Sequence, residues 1–151
     1  MQLILFKRIF KWIKFVLIVN TYPFLCQQKR LKEQRMEMMW RGSRNYGKDS
    51  QIFTGVNYNG YGPPGGFCFD DYCSDPPIQD DPRLFDNNVK ERVDLFVKET
   101  CEQATHYKTN NIMLTMGSDF QYQNALKWFK NLDKVIEYVN KVLILIVSRW
   151  L

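Results

Sequence analysis

The apolar positions of the chain change spacing along its length, and each spacing predicts a different element. Between residues 85 and 106, Val89, Val93, Phe96, Val97, Cys101 and Ala104 recur on one helical face, with Asn88 and Glu91 spaced as a capping pair. Residues 122–139 predict a second amphipathic helix, with Ala125, Leu126, Phe129, Leu132, Ile136 and Val139 as its stripe and charges between them. Residues 28–41 mix charges with Leu31, Met36, Met38, Met39 and Trp40 and read as the end of a helix. Two short runs have strand texture: Ile52-Phe53-Thr54-Gly55-Val56, and residues 111–116, which read as a buried strand. From Gly42 to Pro82 the chain otherwise turns to Gly, Pro, Asn, Asp and Tyr, a long ordered loop of the kind that carries function.

Helix, strand, loop and helix in succession predict an α/β fold with a parallel sheet covered on both faces. Ligands of such sheets bind beyond the carboxyl ends of the strands, and Asp119 falls there, after the apolar run and Gly117-Ser118. An aspartate between strand and helix is also a common N-cap, and Ser118 serves that role equally well. Position alone leaves capping and catalysis both open.

The chain carries a net charge of +5, but the excess is terminal. Residues 28–140 hold fifteen Lys or Arg and sixteen Asp or Glu, a balance of −1, whereas residues 1–27 carry +4 and residues 141–151 carry +2. A nucleic-acid binder concentrates positive charge on its folded body, so this distribution argues against one. Residues 3–19, "LILFKRIFKWIKFVLIV", place Lys7, Lys11 and Lys14 at helical spacing among Leu5, Ile9, Trp12, Ile13 and Val16, as in a basic amphipathic helix on a membrane surface. The run is too interrupted by charge to span a bilayer, and no small-x-small cleavage site follows it.

The cysteines are Cys26, Cys68, Cys73 and Cys101. Cys68 and Cys73 sit in the turn-rich "GYGPPGGFCFDDYC", a spacing that a local disulfide closes at little loop cost, which favours an oxidising compartment. The competing reading joins Cys68, Cys73, Cys101 and His106 in a zinc site, although its wide spacings are unusual for structural zinc ligands.

In order along the chain, "MMWRGS", "IFTGV", "NGYGPP", C-x4-C, "SDPPIQDDPR" and above all "TMGSDFQYQNALKWFKNLDKVI" resemble the α-mannosidases of glycoside hydrolase family 38, specifically the lysosomal branch. The resemblance covers residues 28–140. It implies a slice of a parallel-sheet (β/α) barrel-like catalytic domain. The implied activity is that of a retaining, zinc-dependent exo-glycosidase acting on α-linked mannose of N-glycan oligosaccharides in the lysosome or secretory pathway. Such a mechanism uses one carboxylate as nucleophile and a second as acid and then base. Asp119 matches the family's acid/base residue, whose role calls for a partly desolvated setting that Met116, Phe120 and Tyr122 would supply. Tyr61 matches a tyrosine of the substrate pocket, and Cys68 and Cys73 match a family disulfide.

Departures accompany the match. The family's zinc site needs a His-x-Asp motif, a later histidine and the nucleophilic aspartate, and none has a counterpart; the one histidine, His106, lies outside those motifs. Phe69 stands where Trp is usual, and Ile112 removes the hydroxyl of a common glycosylation sequon at Asn110. No zinc is therefore expected on this segment alone, and the expected partners are a mannose-containing oligosaccharide and the remainder of a mannosidase chain. The resemblance begins near Gln28 and stops after Lys141, so residues 1–27 and 141–151 read as non-family ends, of the kind a translated intron would give. A different reading makes the chain a noncatalytic carbohydrate-binding or membrane-surface protein anchored by its basic head.

Overall fold

The computed structural model describes the backbone of residues 15–18, 24–109 and 111–148, and the side chains of residues 28–109 and 111–142. It is a small α/β structure of two units. One draws on the chain up to Tyr61 together with Glu102–Thr115, the other on Gly62–Cys101 together with Met116 onward.

The first unit carries a three-stranded sheet. Strand β3 (Gln51–Val56) is central, with β1 (Phe15–Ile18) parallel on one side and β2 (Glu37–Arg41) antiparallel on the other. The sheet is thus mixed where a parallel one is expected. The sequence IFTGV forms β3 as its β-branched and aromatic composition predicts, and Thr54 and Val56 are buried. Residues 28–41 hold the end of a helix only as far as Lys32, and Glu37–Arg41 are strand. Helix α1 (Phe24–Lys32) ends in a Schellman arrangement in which the Arg35 amide donates to the Arg30 carbonyl and the Gln34 amide to that of Leu31. Gln34 takes the left-handed position usually given to glycine, at φ 52°, and its side-chain amide donates to the Thr105 carbonyl. The chain leaves this turn extended into β2, whose Glu37 carboxylate accepts the amide and hydroxyl of Thr109.

Of the basic head, Phe15–Ile18 form strand rather than helix, their backbone pairing with Phe53–Val56. Residues 1–14 and 19–23, and with them most of the proposed amphipathic helix, lie outside the described residues. No helix among the described residues is long and apolar enough to cross a membrane.

The second unit packs helix α2 (Val89–Ala104) up to Cys101, helix α3 (Ala125–Ser148) and the loop from Gly62 to Asn88 around an aromatic core. Phe67 meets Phe96 and Phe69 edge-on, and Phe69 meets Trp128 in the same way, with ring centroids 5.1–6.2 Å apart. Both helices are rotated from the stripes expected of them. In α2 the buried face is Arg92, Val93, Phe96 and Thr100, with Cys101 outside. In α3 it is Trp128, Asn131, Val135 and Val139, leaving Leu126 and Phe129 exposed. Polar partners choose these faces. Arg92 donates to the Gly66 carbonyl and lies over the Phe67 ring, while Asn131 accepts the buried Ile78 amide at 2.7 Å.

The motif "SDPPIQDDPR" is a strap between the helices. Asn88 takes the N-cap position of α2, its carbonyl accepting the Arg92 amide, but its side chain bonds the Gln79 amide and the Pro77 carbonyl instead of closing a capping box. At α3, Lys134 donates to the Ile78 carbonyl and to the Asp80 carboxylate, which also accepts the Tyr138 hydroxyl. Lys134 and Tyr138 hold the Asp80 carboxyl below its ordinary range.

Candidate active site

Residues 111–116, read from sequence as a short buried strand, have irregular backbone that continues to Ser118, and Ile112–Met116 are only half-buried. Strands are built from main-chain pairing, and here side chains take the carbonyls. The Gln103 amide donates to Met113 in the first unit, and the Tyr122 hydroxyl donates to Met116 in the second. Asp119 consequently stands on a loop rather than at the end of a strand.

That loop is conformationally demanding. Gly117 has φ 131°, and two non-glycine residues flanking Asp119 and Gln121 are left-handed, Phe120 at 59° and Tyr122 at 69°. Such residues persist only where their surroundings impose them, and they gather at functional sites. The helix that follows is capped by Asn124, whose carbonyl and side-chain oxygen both accept the Lys127 amide. Neither Asp119 nor Ser118 is needed as the cap. The Ser118 carbonyl instead accepts the Gln121 amide within the turn.

The Asp119 side chain is exposed, as are Ser118 and Phe120, the latter 88% accessible. The expected apolar enclosure by Met116, Phe120 and Tyr122 is not formed, because Phe120 projects outward and Tyr122 is committed elsewhere. Its ring stacks on Trp128 at 4.8 Å between centroids while its hydroxyl bonds Met116. The phenol that reaches residue 119 in this unit is that of Tyr72, donating to the Asp119 carbonyl at 3.4 Å. Tyr61, expected from sequence as the pocket tyrosine, belongs to the first unit, in the turn after β3, and is 42% exposed.

Behind the loop lies the cysteine pair. Cys68 and Cys73 form a disulfide, so both sulfurs are withdrawn from the alternative zinc reading. The Gln121 amide contacts the Cys68 sulfur at 3.4 Å, and Asp75 accepts the Cys68 amide. Inside this small ring Asp70 is buried among the aromatics. Its carboxylate accepts the Trp128 indole N–H at 3.0 Å, the Tyr122 amide at 3.1 Å and the Asp71 amide at 2.9 Å. Lys127 bridges the Asp70 carbonyl and the Asp71 carboxylate. The Trp128 indole above all, then the two amides and Lys127, hold the Asp70 carboxyl below its ordinary range against the opposing effect of burial. Sequence reading missed Asp70, Tyr72 and Trp128; the available signal was a pair of aspartates, Asp70-Asp71, set between the aromatics of a cysteine-closed turn.

Metal chemistry finds no donor set here. Among the described residues no group of three His, Cys, Asp or Glu side chains converges. His106 stacks on Tyr58 and has Nδ1 3.2 Å from the Leu31 carbonyl. The described residues therefore do not offer a zinc donor set.

The family model for the N-terminal domain of glycosyl hydrolases family 38 matches residues 17–149. The chain belongs to that family. Within family 38 it is 52% identical over 113 residues to an α-mannosidase of Arabidopsis thaliana, 49% over 112 residues to the lysosomal α-mannosidase of Cavia porcellus, and 47% over 112 residues to that of Homo sapiens. These alignments cover 74–75% of this chain and 11% of each relative. A family 38 chain of this extent therefore spans about a ninth of the length of those relatives.

Proposed function

We propose that this chain is part of the catalytic domain of a lysosomal-type α-mannosidase that releases terminal α-linked mannose from N-glycan oligosaccharides, with Asp119 as its acid/base residue. The observation that carries the reading is the Asp119 loop. A family 38 segment places a carboxyl group on a strained turn, relieved of capping by Asn124 and exposed toward whatever lies in front of it. A general acid needs this access to a glycosidic oxygen. In a retaining reaction the carboxylic acid protonates the leaving oxygen and, as carboxylate, takes the proton of the incoming water.

In this reading the nucleophile, the zinc ligands and the rest of a barrel-like domain come from chain beyond these residues. That remainder would cover Phe120, Leu126 and Phe129 and supply an apolar setting for Asp119, and Tyr61 is taken as a substrate-binding residue on the family resemblance. The segment alone is then inactive. We take residues 28–140 as the catalytic portion, within the span of residues 17–149 that the family model matches.

Replacing Asp119 with Asn in the full-length enzyme tests the reading. Turnover of mannosides with poor leaving groups is expected to fall on the order of 100-fold or more, and turnover of activated aryl mannosides far less, since only the former need a proton donor. Equal losses on both would remove the acid/base role.

A further inference from the structure

We propose that Asp70 is the positioning residue of the Asp119 loop, an inference that rests on the acid/base reading for its catalytic meaning but not for its geometry. The loop from Met116 to Tyr122 is closed at both ends by Tyr122. Its hydroxyl returns to the Met116 carbonyl at 2.6 Å, and its ring packs over Gly117 so closely that no side chain fits there. Asp119 sits in the middle of this closed loop. Whatever fixes Tyr122 therefore fixes the base from which the Asp119 carboxyl projects.

Asp70 does so from two directions. It holds the left-handed Tyr122 by its backbone amide, and it holds the Trp128 indole on which the Tyr122 ring is stacked. The third acceptor bond, to the Asp71 amide, anchors the carboxylate to its own disulfide-closed turn. A buried carboxylate is costly unless hydrogen-bonded, and here its donors come from three separate places in the chain. It makes no bond to the first-turn amides that Asn124 serves, so capping α3 does not explain it. An indole, a strained amide and a local turn locked to one carboxylate are what a loop needs in order to hold its central side chain within a fraction of an ångström.

The test uses Asp70→Asn and Trp128→Phe, the second keeping an aromatic, though smaller, ring but removing the indole donor. In the 151-residue chain, amide exchange at Tyr122 is expected to accelerate about tenfold or more in both variants, while Val93 and Phe96 in α2 keep their protection. In the full-length enzyme, kcat on mannosides with poor leaving groups is expected to fall roughly 10- to 100-fold with KM nearly unchanged, and dinitrophenyl mannosides to be spared. Unchanged exchange at Tyr122 would overturn the proposal, as would collapse of both variants, which would make Asp70 a folding residue only. Asp119→Asn run in parallel separates the two ideas. If it shows no leaving-group dependence the acid/base reading fails, while faster exchange at Tyr122 still establishes the positioning of the loop.

Discussion

The ring of Tyr122 occupies the space that a side chain on residue 117 would need: a Cβ built on Gly117 comes within 2.6 Å of Tyr122 Cε2. Because Gly117 also has φ 131°, Gly117→Ala meets both a steric and a backbone penalty. The variant is expected to be about 2–3 kcal/mol less stable in urea unfolding and to lose the Tyr122–Trp128 stacking signal in the near-ultraviolet. A loss under about 0.5 kcal/mol would mean that the loop adapts freely.

Acid sensitivity follows from Asp70 and Asp80. Both carboxyls titrate below their ordinary value of 3.8 in the folded chain, the first chiefly through the Trp128 indole and the second chiefly through Lys134. A depressed folded value contributes stability that is present above the ordinary carboxylate range and is lost as pH falls through the folded value. Urea midpoints taken from about pH 6 down to about pH 2 should therefore fall steeply at the acid end. Asp70→Asn should be less stable near neutrality and show a shallower decline. Parallel curves for the two proteins would refute the assignment.

Asn131 joins the strap to α3 through one buried bond to the Ile78 amide. Asn131→Ala leaves that amide without a partner, and a loss of about 2 kcal/mol is expected from chemical denaturation. Exchange at Ile78 should accelerate in the same variant, while the Gln79 amide, held by Asn88, stays protected.

The disulfide closes a very short loop, with a sequence separation of 5 between its cysteines. Cys68→Ser is expected to lower stability by about 2 kcal/mol on the chain-entropy account. It should also loosen Gln121, which contacts the Cys68 sulfur. Equal unfolding midpoints with and without reductant would contradict both.

Much of the fold was legible because it depends on local patterning. The strand at Ile52–Val56, the helices within residues 85–106 and 122–139, the long loop and the cysteine pair are read from spacing or from the family resemblance, although the second helix runs on to Ser148. The misses share a cause. Periodicity counts apolar residues, but the faces of α2 and α3 were set by Arg92, Trp128 and Asn131 seeking buried partners. Residues 28–41 read as the end of a helix, but nothing local announces that Gln34 adopts a glycine-like conformation and ends it at Lys32. The run at residues 112–116 looked like strand because it is apolar, yet a strand exists only by virtue of neighbours, and Gln103 and Tyr122 took its carbonyls instead. At the site, Asp119 was found through a motif, whereas Asp70 acts through contacts 52 and 58 residues away that no local pattern encodes.

Each unit is stitched from two stretches of chain that are far apart in sequence. A nascent polypeptide cannot finish the sheet-bearing half until residue 115 has been made, nor begin the other half's second stretch before then. Splitting the chain near residue 61 or 101 would part the two stretches of a unit, so trimming experiments must remove material from the termini inward.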